Sequence, residues 1–198
     1  MHYNISFQGD CMKSKIDVTI FQNGDMDILH ASIYNELWKD YETFKNRALR
    51  QQEKGTAKGE FLAKRYERTA LQSLYTFFTC VVEAWMSQII IQHSEYTSMA
   101  HGTLQEKCDA ILEYAFLCTY TDTEYDGTKL NEYVRRYEQH DLALIEYVTY
   151  EMLSDLEGKM MTFFTLVEAL TELKRFPKPD KSTTDIVNAI GDLARGVT

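Results

Sequence analysis

The sequence predicts a mainly α fold: an up-and-down antiparallel helical bundle of about five to six helices, with a small N-terminal β-hairpin or three-stranded meander. Three observations predict it. Apolar residues recur every three to five positions through two long stretches, 58–95 and 141–175, the period of a helix with one covered face. Strict apolar–polar alternation, the mark of a strand, is confined to the first thirty residues. Only 2 prolines and 9 glycines punctuate 198 residues, too few for long linkers.

The alternating segment comes first. Ile16, Val18 and Ile20 alternate with Asp17 and Thr19, and Met26 and Ile28 alternate with Asp25 and Asp27. Asn23-Gly24 lies between them, and both residues tolerate the positive φ of a hairpin turn. Tyr3, Ile5 and Phe7 supply a third strand. So small a sheet is marginal alone. Residues 1–30 therefore read as an appendage to a bundle spanning 31–198.

Ser32 caps a helix running to about Glu53, with Ile33, Leu37, Tyr41, Phe44 and Ala48 facing inward. Gly55 and Gly59 bracket the turn into the first long helix. There Phe61, Tyr66, Ala70, Leu74, Phe77, Val81, Trp85 and Ile89 form one stripe, and the helix frays over 93–102. Thr103-Leu-Gln-Glu106 matches a capping box and opens a helix with Ile111, Leu112, Ala115 and Phe116 inside. After a loop at 122–127, a shorter helix from about Lys129 carries Leu130, Tyr133, Val134 and Tyr137. The second long helix buries Ile145, Val148, Met152, Leu156, Phe163, Val167 and Leu170, and Gly158 within it permits a bend or a close crossing. Each long helix should run on the order of 50 Å at 1.5 Å per residue. Pro177 and Pro179 end the second, and Ser182 starts a last short helix through Ile186, Ile190 and Leu193. Thr76-Phe-Phe-Thr is echoed by Thr162-Phe-Phe-Thr. With no longer period behind it, the echo reads as convergence of two buried helices.

Charge bounds the partners. The chain carries a formal net charge of −9, which disfavours wholesale binding to a phosphate backbone. Residues 39–68 run the other way, with nine basic side chains against five acidic. Lys45, Arg47, Arg50, Lys54, Lys58, Lys64, Arg65 and Arg68 within it form a solvated hairpin tip or a docking patch for an anionic partner such as RNA. Cys11, Cys80, Cys108 and Cys118 show no metal spacing and read as reduced thiols of a cytoplasmic protein. The start of the chain lacks the pattern of a signal peptide. The apolar window 74–92 contains Glu83, Ser87 and Gln88, so it reads as a core helix, and no membrane partner is expected.

No glycine loop for phosphates, GxSxG, HExxH or Glu-x-x-His is present. His93 and His101 flank a helix end and read as surface histidines. No cofactor or metal is expected, and no polar constellation points to a small-molecule pocket. The 13 tyrosines, seven of them crowded between Tyr114 and Tyr150, suit a core edge and a dimer seam.

One motif carries chemistry. Arg135-Arg-Tyr-Glu-Gln-His140, downstream of a long helix containing Glu83, resembles the HEPN families (higher eukaryotes and prokaryotes nucleotide-binding). The resemblance implies an all-α dimer in which two Arg-x4-6-His motifs share a cleft, often for metal-independent RNA cleavage. Arg135 and His140 would be catalytic and Glu83 supporting. A guanidinium and an imidazole fit that reaction, which needs a proton acceptor and a cation for the developing phosphorane charge. Where the family commonly has Asn after the Arg and a small residue or Pro after the His, this chain has Arg136 and Asp141. Two readings stand open: a homodimeric binding and assembly bundle of unassigned partner, and an HEPN-like endoribonuclease.

Overall fold

The computed structural model describes residues 3–6, 15–22, 25–119 and 128–173, and over them the protein is mainly α. The expected turn at Asn23-Gly24, the loop at 122–127, the proline stop and the last helix from Ser182 lie outside the described residues. The chain divides into two compact units. The larger is Asp40–Arg175; the strands and the helical turns just after them, up to Lys39, belong to the other. In that other unit the backbone segments Tyr3–Ser6 (β1), Lys15–Gln22 (β2) and Asp25–Ser32 (β3) pair antiparallel in that order. Ile5 lies opposite Val18, and Val18 opposite Leu29.

Six α-helices follow among the described residues: α1 Ile33–Gln52, α2 Ala57–Gln92, α3 Leu104–Thr119, α4 Thr128–Glu138, α5 Leu142–Glu146 and α6 Tyr150–Leu170. A 3₁₀ segment, Ser94–His101, joins α2 to α3. Local chemistry sets these boundaries. The turn between α1 and α2 needs Gly55, whose φ is +58°, a conformation that side chains oppose. It also needs Gly59, where a Cβ would sit 2.6 Å from the Gln51 backbone oxygen. Thr56 then caps α2 by accepting from the Gly59 N–H. Thr103 and Glu106 bond reciprocally at the start of α3, as a capping box does.

The core is the seam of α2 with α3 and α6. Leu74, Phe77, Phe78, Val82, Trp85, Ile111, Phe163, Phe164 and Val167 are shut off from solvent. The two Thr-Phe-Phe-Thr segments meet there. Phe77 lies edge-on to Phe164 with centroids 5.8 Å apart, Phe78 packs against Phe163 at 5.7 Å, and Trp85 meets Phe164 at 5.4 Å. Such aromatic pairs add about 0.5–1.5 kcal/mol each beyond the area they bury. α2 is also long and apolar enough to cross a membrane, though half of its most apolar window is covered within this fold.

Four expectations are corrected. The rod expected over 141–175 is two helices. Asp141 caps α5, and Thr149, in extended backbone, caps α6 by accepting from the Met152 N–H. The antiparallel order holds for α3 and α4, where Leu104 meets Glu138 and Asp109 meets Asn131. It fails for α2 and α6. Contacts rise together from Lys64 with Val148 to Phe78 with Phe163, so these helices run the same way, the intervening helices having returned the chain. Phe61, placed on the inner stripe, is 63% exposed, because the covered face at this end of α2 is that of Gly59, Ala63 and Glu67, and a residue two positions from Gly59 and Ala63 points to the opposite side of the helix. Gly158 makes no close crossing: a Cβ there would meet nothing within 4 Å.

Candidate functional site

The Arg-x4-His segment straddles a helix end. The Asp141 N–H donates to the Arg136 carbonyl and the His140 N–H to that of Tyr137, the paired bonds of a Schellman stop. His140 occupies the left-handed position of that stop, with φ +53°. Its Nδ1 lies 3.0 Å from the Glu138 backbone oxygen. That bond needs the proton on Nδ1 and leaves Nε2 facing outward without a partner among the described residues. Asp141 then turns the chain. One carboxylate oxygen accepts from the Ala143 and Leu144 N–H groups and the other from Arg136 Nε at 2.7 Å. The Arg136 guanidinium is the chief reason that Asp141 titrates below the usual carboxylate range.

Glu83, Arg135 and His140 are not joined by any hydrogen bond or ion pair among the described residues. Glu83 instead accepts from Lys107 Nζ at 2.6 Å, and Lys107 is only 5% exposed. A buried ammonium without a counter-charge is costly, so Glu83 is committed to α3. Arg135 and His140 are both exposed, one on the last turn of α4 and one just past it.

The basic patch separates into two kinds of side chain. Lys45 is turned inward: its ammonium lies 2.6 Å from Glu157 and over the Tyr150 ring, while Tyr41 donates to the same carboxylate oxygen. Burial above all, then Glu157, raises the Tyr41 phenol well beyond its ordinary value. Lys64 donates to the Val148 carbonyl and lies 2.9 Å from Glu67, too poorly aligned with that oxygen for a hydrogen bond. Glu67 is fully buried and also accepts from Gln52. Arg47 lies over Phe44, and Lys54 bonds Gln51. Arg50, Lys58, Arg65 and Arg68 have no carboxylate partner among the described residues.

Arg65 and Arg68 edge a cleft of about 390 Å³. With Thr69, Leu71 and Gln72 they form its α2 wall, one helical face at steps of three and four. Tyr137 of α4 and Ile145 of α5 form the other. Tyr137 is held by a parallel stack on Tyr75, centroids 3.8 Å apart. Tyr75 is buried, its hydroxyl has no hydrogen-bond partner among the described residues, and burial raises its phenol above the ordinary range. The cleft is the polar constellation that the sequence did not disclose. Its one legible trace was the Arg65, Arg68, Gln72 spacing along one face of α2; the facing residues come from elements far along the chain. Among the described residues no cluster of three or more His, Cys, Asp or Glu is arranged to hold a metal ion. No protein family, curated protein or solved structure matches the chain.

Proposed function

We propose that this chain is a binding and assembly protein: a cytoplasmic helical bundle that homodimerises and recruits a partner not yet assigned. The observation that carries this reading is where the chemistry-bearing side chains are spent. Glu83 neutralises a buried lysine and His140 stops a helix, whereas large apolar side chains are left outside. Phe61, Leu142 and Tyr147 are 63%, 75% and 65% exposed. Phe61 lies one turn ahead of Arg65, and Leu142 and Tyr147 bracket the helix that carries Ile145. Such a surface, mixing cations with aromatic and aliphatic groups, suits protein contact. Sedimentation at micromolar concentration should give a dimer, and Phe61→Ser with Tyr147→Ser should weaken it while circular dichroism stays unchanged. A strict monomer sinks this reading.

The HEPN-like endoribonuclease is the second reading. It is favoured by the exposure of both Arg135 and His140 and by the Nε2 of His140, which has no partner among the described residues and can accept a proton while Nδ1 donates to the Glu138 carbonyl. A second copy would bring a second motif. On this reading the protein cleaves single-stranded RNA in EDTA. His140→Gly, which keeps the left-handed stop, abolishes cleavage with the fold intact. Wild-type protein inert on varied RNAs excludes it.

A further inference from the structure

We infer that the cleft between α2 and the α4–α5 turn binds a small oxyanion-bearing molecule with a flat apolar body, its phosphate or carboxylate head held by Arg65 and Arg68. This goes beyond the assembly reading and stands whether or not the chain dimerises. The argument begins with charge. The sequence has 30 acidic side chains and 21 basic, so carboxylates outnumber cations. Even so, two guanidiniums one turn apart on α2 lack a carboxylate partner among the described residues, and no carboxylate lines the cleft. Guanidiniums placed so closely repel each other, and an oxyanion between them removes that cost while accepting charge-assisted bonds from both.

The rest of the lining describes the rest of the ligand. The Gln72 side chain makes no hydrogen bond to a described residue, so its amide is available as a further donor from the same wall. Thr69 donates its hydroxyl to the Arg65 carbonyl, which leaves its oxygen able only to accept. Leu71, Ile145 and the Tyr137 ring offer apolar area. The stack on buried Tyr75 holds Tyr137 in place before a ligand arrives, which reduces the ordering cost of binding. A volume of about 390 Å³ falls within the roughly 300–1,000 Å³ of small-molecule clefts. Arg68 is half-buried, so its charge is screened less than that of a fully exposed cation.

Isothermal titration with phenyl phosphate, benzoate and inorganic phosphate tests this. Phenyl phosphate or benzoate should bind saturably and more tightly than inorganic phosphate, and whichever is tighter names the head group. Arg65→Gln and Arg68→Gln should each weaken binding about tenfold or more, the usual worth of a charge-assisted hydrogen bond. Arg47→Gln, a surface cation outside the cleft, should change it less than about twofold, as distant screened charges do. Tyr137→Leu should weaken phenyl phosphate while sparing inorganic phosphate. The inference is overturned if neither aromatic anion binds, if both bind no better than inorganic phosphate, or if Arg47→Gln costs as much as Arg68→Gln. Sedimentation of the same samples reports dimerisation separately, so failure here leaves the assembly reading to be judged on its own measurement.

Discussion

His140 holds a backbone conformation that L-residues resist, and it does so at a helix stop where glycine is the usual occupant. His140→Gly should therefore raise stability by about 0.5–1 kcal/mol, seen as a rise of roughly 2 °C in the thermal midpoint for a chain of this size. His140→Ala gains nothing, because alanine keeps the strain. If His140→Gly instead destabilises, the imidazole is worth more through its contact with Glu138 than the left-handed backbone costs. The same residue thus reports on folding and on chemistry, and the glycine variant separates the two. Glu83 offers no such separation. Removing it strands Lys107, so loss of an activity in Glu83→Ala is interpretable only with a stability measurement beside it.

At the scale of single elements, glycines and caps decide the outcome. Gly158 lies exposed inside α6 with open space where a side chain would go. Gly158→Ala should stabilise by about 0.5–1 kcal/mol, read by urea denaturation. Gly59→Ala should do the reverse, costing about 1–3 kcal/mol as an overpacked contact, because the new methyl would meet the Gln51 carbonyl. Equal effects at the two positions would refute the packing described for the α1–α2 turn. Helix caps set the acid response. Asp141 titrates low chiefly through Arg136, Glu106 through the Thr103 N–H and hydroxyl, and Glu151 through its own backbone N–H. Folded values below unfolded ones give stability that is complete above the unfolded range near 4 and is lost as pH falls through the folded values. The thermal midpoint should hold from pH 7 to about 5 and drop below about 4. Asp141→Asn can keep the cap bonds while losing the Arg136 ion pair, so its acid loss should be shallower than the wild type's.

For the larger unit as a whole, the aromatic seam of α2 and α6 is the point of failure. Trp85, Phe77, Phe78, Phe163 and Phe164 are all fully covered and touch one another in a connected set. Phe164→Ala should cost about 3–5 kcal/mol, enough to unfold a marginal domain. Ile91→Ala, at a side chain 67% exposed near the end of α2, should change stability by less than about 0.5 kcal/mol, as surface substitutions do. Chemical denaturation distinguishes them, and comparable losses at both sites would contradict the burial pattern.

Much of this fold was legible in the chain. The 3.6-residue repeat marks where helices lie, and the stripe through Leu74, Phe77, Val81 and Trp85 is buried as its spacing requires. Thr103 and Glu106 announce their capping box because that device is local, complete within four residues. What local pattern cannot carry is the identity of the covering surface. Phe61 is apolar and exposed all the same, since the covered face at the start of α2 is the one against which α1 packs, on the side of Gly59 and Glu67. The shared direction of α2 and α6, the commitment of Glu83 to Lys107 and the meeting of Arg65 and Arg68 with Tyr137 and Ile145 join residues tens of positions apart. A helix declares itself through neighbours three and four residues away. A cleft is made by elements that only tertiary packing brings together.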